Sequence, residues 1–307
     1  MEQFDLNWSH GRATIFEDGA SLHYLGFDLG GRNFKPFAEA PWQGDYLKNP
    51  HHSHPRHLQL LGGEWPCIPF GTSHHDPSHH GFGTDHPWQV IEHHKNTITL
   101  GIDYPEDHMI KSLHRTITGL DGDTAIEFSL TIEPRKSGTL PIGLHPIFKL
   151  TDDLKISVSG TTHGHTFPKV FEKGISILSP RTSFGADGIC PSKEGPIDIL
   201  SSPSILKEEL VQLFRLEGDI ALTYPEDRVV INLKWDADFM PYCLMWISNR
   251  GRGNDPWKHR FRGIGIEPVN SYFDINDEAP KSQNYGYHFK AGQKKTITYR
   301  LSARTSE

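Results

Sequence analysis

The stretch LHRTITGLDGDTAIEFSLTI, residues 113–132, decides the reading of this chain. Ile126, Phe128, Leu130 and Ile132 alternate with Glu127, Ser129 and Thr131, the two-residue period of a strand with one face in a core. Residues 113–117 form a second such run. Asp121-Gly122 between them favours the positive φ of a tight hairpin turn, so the pair predicts two antiparallel strands. The same period recurs outward in both directions. It appears in Ile98, Leu100 and Ile102, in Leu154, Ile156 and Val158, and in Val229, Ile231, Leu233 and Trp235 after Pro225-Glu226-Asp227. It closes in Ile297, Tyr299 and Leu301. Helical periodicity is offered in one place, residues 204–214, where Ser204 can cap and Leu206, Leu210, Leu213 and Phe214 share a side, which predicts a short helix. With 29 Gly and 22 Pro, the chain has turns for many strands. No repeat, low-complexity linker or break in composition divides it. Residues 1–307 are therefore expected to form a single all-β domain, a large antiparallel β-sandwich.

Bulk properties narrow the partners. A formal charge of −7 argues against nucleic acid or an anionic membrane surface. No apolar run approaches the roughly 18 residues that cross a bilayer. Met1-Glu2-Gln3-Phe4-Asp5 has neither the basic nor the apolar region of a signal peptide. Cys67, Cys190 and Cys243 are odd in number and widely spaced, which fits reduced thiols in a cytoplasmic protein. A partly exposed sheet edge would suit a homodimer. The 20 histidines are the compositional outlier. His51, His52, His54, His57, His74, His75, Asp76, His79 and His80 crowd into one irregular stretch, and such tracts can hold zinc or nickel. No ligand spacing stands out among them, so neither a metal nor an organic cofactor is expected.

Two ionisable residues stand apart. His145 sits in Gly143-Leu144-His145-Pro146-Ile147-Phe148, and Glu267 in Ile264-Gly265-Ile266-Glu267-Pro268-Val269. A lone titratable side chain in an apolar strand is either paired or faces a cleft where its charge is used. For His145 the structural alternative is a core imidazole bonded to backbone carbonyls. For Glu267 it is an ion pair with Arg262. One proton donor and one acceptor together suggest acid–base chemistry on a neutral substrate.

Four segments carry a resemblance. Leu61-Gly62-Gly63-Glu64-Trp65-Pro66-Cys67-Ile68-Pro69-Phe70-Gly71, His80-Gly81-Phe82-Gly83 with Trp88 beyond it, Leu144-His145-Pro146-Ile147-Phe148 and Ile266-Glu267-Pro268 occur in that order. Together they resemble the galactose-mutarotase-like superfamily of aldose 1-epimerases, near its hexose-6-phosphate mutarotase branch. The resemblance implies a supersandwich of antiparallel strands with a sugar site in a cleft on one concave face. It implies Glu267 as general base and His145 as general acid, on opposite sides of a sugar ring whose hemiacetal they open. His80 would hydrogen-bond a sugar oxygen, and Trp65 and Trp246 would stack on the sugar.

Departures from the pattern bear on the substrate. Leu61 and Thr84 stand where members acting on 6-phosphosugars resemble one another in arginine, and neither can grip a phosphate dianion. Arg56 is the nearest substitute. The simplest inference is a free, non-phosphorylated sugar, neutral or acidic. The alternatives are a hexose-6-phosphate mutarotase and a carbohydrate-binding protein of the same fold without turnover. The superfamily's further active-site aspartate has three candidates here: Asp187, Asp219 and Asp227.

Overall fold

The computed structural model describes residues 1–48, 54–160, 163–281 and 284–306. His51 and His52 of the histidine tract lie outside the described residues. The molecule is all-β, and every pairing between its strands is antiparallel among the described residues. Two eight-stranded sheets dominate, with a four-stranded sheet at the N-terminus.

The hairpin read from residues 113–132 is the centre of one large sheet. Strand Ile110–Gly119 pairs with Ala125–Pro134, with Ile117 opposite Phe128 and Leu113 opposite Ile132. Thr97–Asp103 and Gln89–His93 extend it on one side; Lys295–Thr305, Val229–Trp235, Asp219–Tyr224 and Lys155–Val158 extend it on the other. Each alternating run named above falls in one of these strands, save that Leu154 lies one residue before Lys155–Val158. Their apolar members form the core, because alternate side chains of a pleated strand share a face.

The second large sheet runs Ser183–Gly185, His163–Thr166, Glu208–Phe214, Tyr242–Asn249, Arg262–Val269, Gly143–Leu144 and Pro66–Cys67; Ile147–Phe148 also pairs with Arg262–Val269. Its inner face gives Val211, Leu213, Cys243, Met245, Ile247, Ile264 and Ile266 to the core shared with the first sheet. Its outer face is covered too, by Trp42 and Tyr46 at and within the short helix Gln43–Lys48 and by loops carrying Trp257, Phe261 and Phe273. The central strands are thus buried on both sides.

That double burial corrects the expected helix. Residues 204–214 form a single short turn, Pro203–Ile205, followed by the strand Glu208–Phe214, in which every residue is buried. A helix would leave one side of Glu208, Glu209 and Gln212 toward water. In the sheet, Glu209 accepts the backbone N–H of Ile177 and Leu178, and Gln212 spans the backbone of Ser271 and Phe273. A short apolar run does not tell a strand covered on both faces from a helix, and here the covering layers decided it.

One buried ion pair ties the layers together. Arg115 is fully buried and donates to Glu64, to the Tyr299 hydroxyl at 2.8 Å and to the Ala20 carbonyl at 2.5 Å. Tyr299 in turn donates to Glu64 at 2.8 Å. Glu64 immediately precedes Trp65, so this network anchors a segment that reaches the outer face. Among the described residues no helix is long and apolar enough to cross a membrane, and all three cysteines are free and buried.

Candidate active site

Register on the outer face of the second sheet builds the site. Leu244 lies opposite Glu267 and Trp246 opposite Gly265, while Leu210 lies opposite Trp246 on the other flank. These side chains therefore project to the same side, away from Met245, Ile247, Ile264 and Ile266 in the core. Gly265 makes room for the carboxylate two residues on, since a Cβ there would run into Glu267 Oε1.

His145 occupies the break between strands Gly143–Leu144 and Ile147–Phe148. Its backbone N–H donates to the Trp65 carbonyl at 2.9 Å, and the Ile147 N–H donates to Gly63 at 2.8 Å. The Trp65 indole stacks on the imidazole, centroids 4.4 Å apart and planes 11° apart. His145 Nε2 then faces Glu267 Oε1 at 3.7 Å. Arg262, the structural partner considered for Glu267, pairs with Asp152 instead.

His80 enters from the loop after the Pro66–Cys67 strand. Asp76 accepts the N–H groups of Ser78 and Phe82 at 2.7 Å each and pins that loop from below. His80 takes a left-handed backbone conformation, φ 65°, and exchanges two bonds with Gly71. Its N–H donates to the Gly71 carbonyl, and its Nδ1 accepts the Gly71 N–H at 3.2 Å. An Nδ1 that accepts leaves the proton of the neutral ring on Nε2, so His80 presents a donor. Its ring centre lies 5.0 Å from that of His145.

These residues line a cavity of about 200 Å³ together with His57, His79, Phe171, Arg252, Trp257 and Asp274. A cavity of this size accommodates a single small ring. Sequence reasoning saw His57 and His79 only as members of a tract and missed Arg252, Trp257 and Asp274. The three aspartates considered earlier are elsewhere: Asp187 caps Ile189, Asp219 pairs with Lys234, and Asp227 sits in an exposed turn. Asp274, seven residues beyond Glu267 on the same chain segment, lines the cavity in their place. Arg56 is not at the cavity. It is held by Asp18 at 2.6 Å and Gln59 at 2.9 Å.

Trp65 and Trp246 are both almost fully buried, and neither indole N–H has an acceptor among the described residues. One face of Trp65 is taken by His145, so this ring serves the imidazole first. Trp246 stands edge-on to His145 at 6.0 Å. The histidine tract is dispersed by private partners: His54 with Asp255, His57 with Asp85, His74 with Asp277, and Asp76 with His108. No group of three or more His, Cys, Asp or Glu among the described residues is placed to hold a metal ion.

The electrostatics follow from burial. The His145 imidazole is held down at about 3 by loss of water, with the nearby His57 and His79 rings adding to it. His79 is lowered to about 4 for the same reasons. Burial pushes the Glu267 carboxyl well above the usual carboxylate range, and Asp274 pushes it further. Asp274 itself is raised to about 6, chiefly by burial. Burial thus favours a protonated Glu267 beside a neutral His145. A pair that holds one proton between a carboxyl and an imidazole can take a proton from one oxygen and give one to another.

No protein-family profile matches the chain, and no curated protein matches it in sequence. Solved structures do match in shape. A protein of Escherichia coli K12 provisionally named an aldose 1-epimerase superposes with a TM-score of 0.71 at 12% identity, covering 99% of both chains. A galactose mutarotase-like protein from Lactobacillus casei gives 0.66 at 18% identity, over 99% of this chain and 100% of that one. An aldose epimerase homologue from C. elegans gives 0.63 at 11%, over 100% and 99%. Superposition over nearly the whole length of each chain shows that this chain has the galactose mutarotase-like fold.

Proposed function

We propose that this protein is an aldose 1-epimerase that interconverts the α and β anomers of a free, non-phosphorylated sugar. The observation that carries the reading is the approach of His145 Nε2 to Glu267 Oε1, 3.7 Å apart in one cavity of single-ring size. No pyranose ring fits between groups that close, so the two do not flank the sugar from opposite sides. Both address one edge, where the ring oxygen and the C1 hydroxyl share the anomeric carbon.

In ring opening, the Glu267 carboxylate takes the C1 hydroxyl proton while the His145 imidazolium gives its Nε2 proton to the ring oxygen. The C1–O5 bond breaks and the C1 carbonyl forms. Rotation about C1–C2 and the reverse transfers close the ring on the other face. Opening leaves a neutral carboxyl and a neutral imidazole, the forms burial favours. The pair first passes its one proton from Glu267 to His145, a transfer that costs free energy in the dry pocket, and ring opening recovers that cost as both groups return to their neutral forms. His80 holds a fixed Nε2–H donor for a sugar oxygen, and Trp246 with Trp257 supplies an apolar wall for C–H faces.

Anomer-exchange NMR on galactose, glucose, fucose, rhamnose, uronates and 6-phosphosugars tests the reading. Exchange above the spontaneous rate on at least one free sugar is expected, with Glu267→Gln and His145→Gln each losing about 10²–10⁴-fold. Variants that exchange at the parental rate would remove the acid–base pair.

A further inference from the structure

Arg252 and Asp274 have no part in the acid–base step, yet both line the cavity. Arg252 lies in the loop between strands Tyr242–Asn249 and Arg262–Val269. Its guanidinium rests over Trp257 at 4.7 Å and beside Trp246 at 5.7 Å. Both of its ion pairs, to Glu172 at 3.2 Å and Glu208 at 3.4 Å, run through Nε. Among the described residues no acceptor meets its Nη groups. Asp274 is half-buried, and its Oδ1, itself out of water, has no donor among the described residues. The charge of Arg252 acts on Asp274, and that of Asp274 on Glu267. A guanidinium edge in need of acceptors and a carboxyl oxygen in need of a donor thus share one small cavity with the reacting pair.

A hydroxyl group satisfies both at once, accepting from the guanidinium and donating to the carboxylate. A carboxylate or phosphate substituent only accepts. It would meet Arg252 but leave Asp274 unpaired and bring a like charge against it. Behind Arg252, moreover, two carboxyl groups already share one cation, so the free edge offers donors without an excess of positive charge. The aromatic ring under the guanidinium keeps its fork fixed in plane.

Resting on the mutarotase reading of the same site, we propose that Arg252 and Asp274 are its specificity-determining pair. They grip hydroxyls of a neutral sugar, and Glu172 and Glu208 behind the guanidinium turn away sugars that carry a carboxylate or phosphate there.

The test measures anomer exchange and, in parallel, equilibrium binding by calorimetry. The ligands are glucose, galactose, glucuronate, galacturonate and glucose 6-phosphate at pH 7.5, and the proteins are the parent, Arg252→Gln, Asp274→Asn and Glu172→Gln. The parent is expected to prefer neutral sugars at least tenfold in kcat/KM. Arg252→Gln and Asp274→Asn are expected to raise KM and Kd for neutral sugars about tenfold or more, with kcat changed only a few-fold. Glu172 is more than one-third exposed, so Glu172→Gln folds without difficulty; it narrows the preference against anionic sugars about fivefold. A parental preference for a uronate or the 6-phosphate overturns the inference. So does exchange on neutral sugars with KM unmoved in both pocket variants, which leaves the mutarotase reading standing. Binding of neutral sugars that weakens in both variants, with no exchange on any sugar, sinks the mutarotase reading and keeps the pair. No binding of any sugar ends both.

Discussion

His145 shows how far a single buried residue can be taken. Its folded value of about 3 lies far below the about 6.5 of an exposed imidazole, because charging it in a dry pocket is unfavourable. Between those values the unfolded chain binds the proton first, so this group's contribution to stability is whole above pH 6.5 and is lost as pH falls toward 3. At pH 5 the loss is about 2 kcal/mol. Asp274 has the opposite sign: its raised value near 6 gives stability that is lost as pH rises from about 4 through 6, and it titrates in parent and variant alike. Comparing the parent with His145→Gln in urea therefore isolates the imidazole. The stability difference between them is expected to shift against the parent by about 2 kcal/mol from pH 7 to pH 5; a difference independent of pH would mean that His145 is not held neutral by burial.

At the scale of elements, two strands do the positioning. The Arg262–Val269 strand presents Glu267 because Gly265 leaves space beside it on the same face. Gly265→Ala is expected to keep the fold and displace the carboxylate, and a shift of about 1 Å at a reacting group costs on the order of 10²-fold. Anomer-exchange rates together with a circular-dichroism spectrum check this, and an unchanged rate would show that the glycine is not needed. The Gly62–Trp65 segment is held from the other sheet by the Arg115–Glu64–Tyr299 network, and through the Trp65 carbonyl it sets the backbone of His145. Glu64→Gln leaves a buried guanidinium short of its counter-charge, with an expected loss of about 3–5 kcal/mol. Urea unfolding measures it, and a loss below 1 kcal/mol would mean that water reaches Arg115. Neither strand's neighbours were legible in sequence. The Glu208–Phe214 strand read as a helix because its apolar spacing suits both, and only the loops over its outer face distinguish them.

For the whole molecule, the core is continuous from Leu6 in the N-terminal sheet to Ala303 in the last strand, and it includes inner faces of both large sheets. Residues 1–307 are accordingly expected to unfold as one cooperative domain. Tryptophan fluorescence and far-ultraviolet circular dichroism should give coincident transitions, and two separated midpoints would divide the chain. Most strands of the first large sheet were readable from residue order alone, since a two-residue period with one dry face is a local property; Gln89–His93, exposed throughout, and Asp219–Tyr224 were not read. His145 and Glu267 stood out because each is a lone ionisable residue in an apolar segment, while His80, Trp65 and Trp246 came through the family resemblance; all five line the cavity. Their meeting in one cleft was expected only through the family resemblance, and Arg252, Trp257 and Asp274 were not expected there at all. Those three come from loops folded over the outer face of the second sheet, where position depends on what packs beneath. The sequence by itself determined the all-β class and most strands of the first large sheet, and it singled out His145 and Glu267 as candidates, because alternation and local motif are written along the chain. The tertiary structure decided that Glu208–Phe214 is a strand, that imidazole and carboxyl lie 3.7 Å apart in one cavity, and that a guanidinium and an aspartate line it beside them. Burial and contact across the cleft are properties of space, and no stretch of chain contains them.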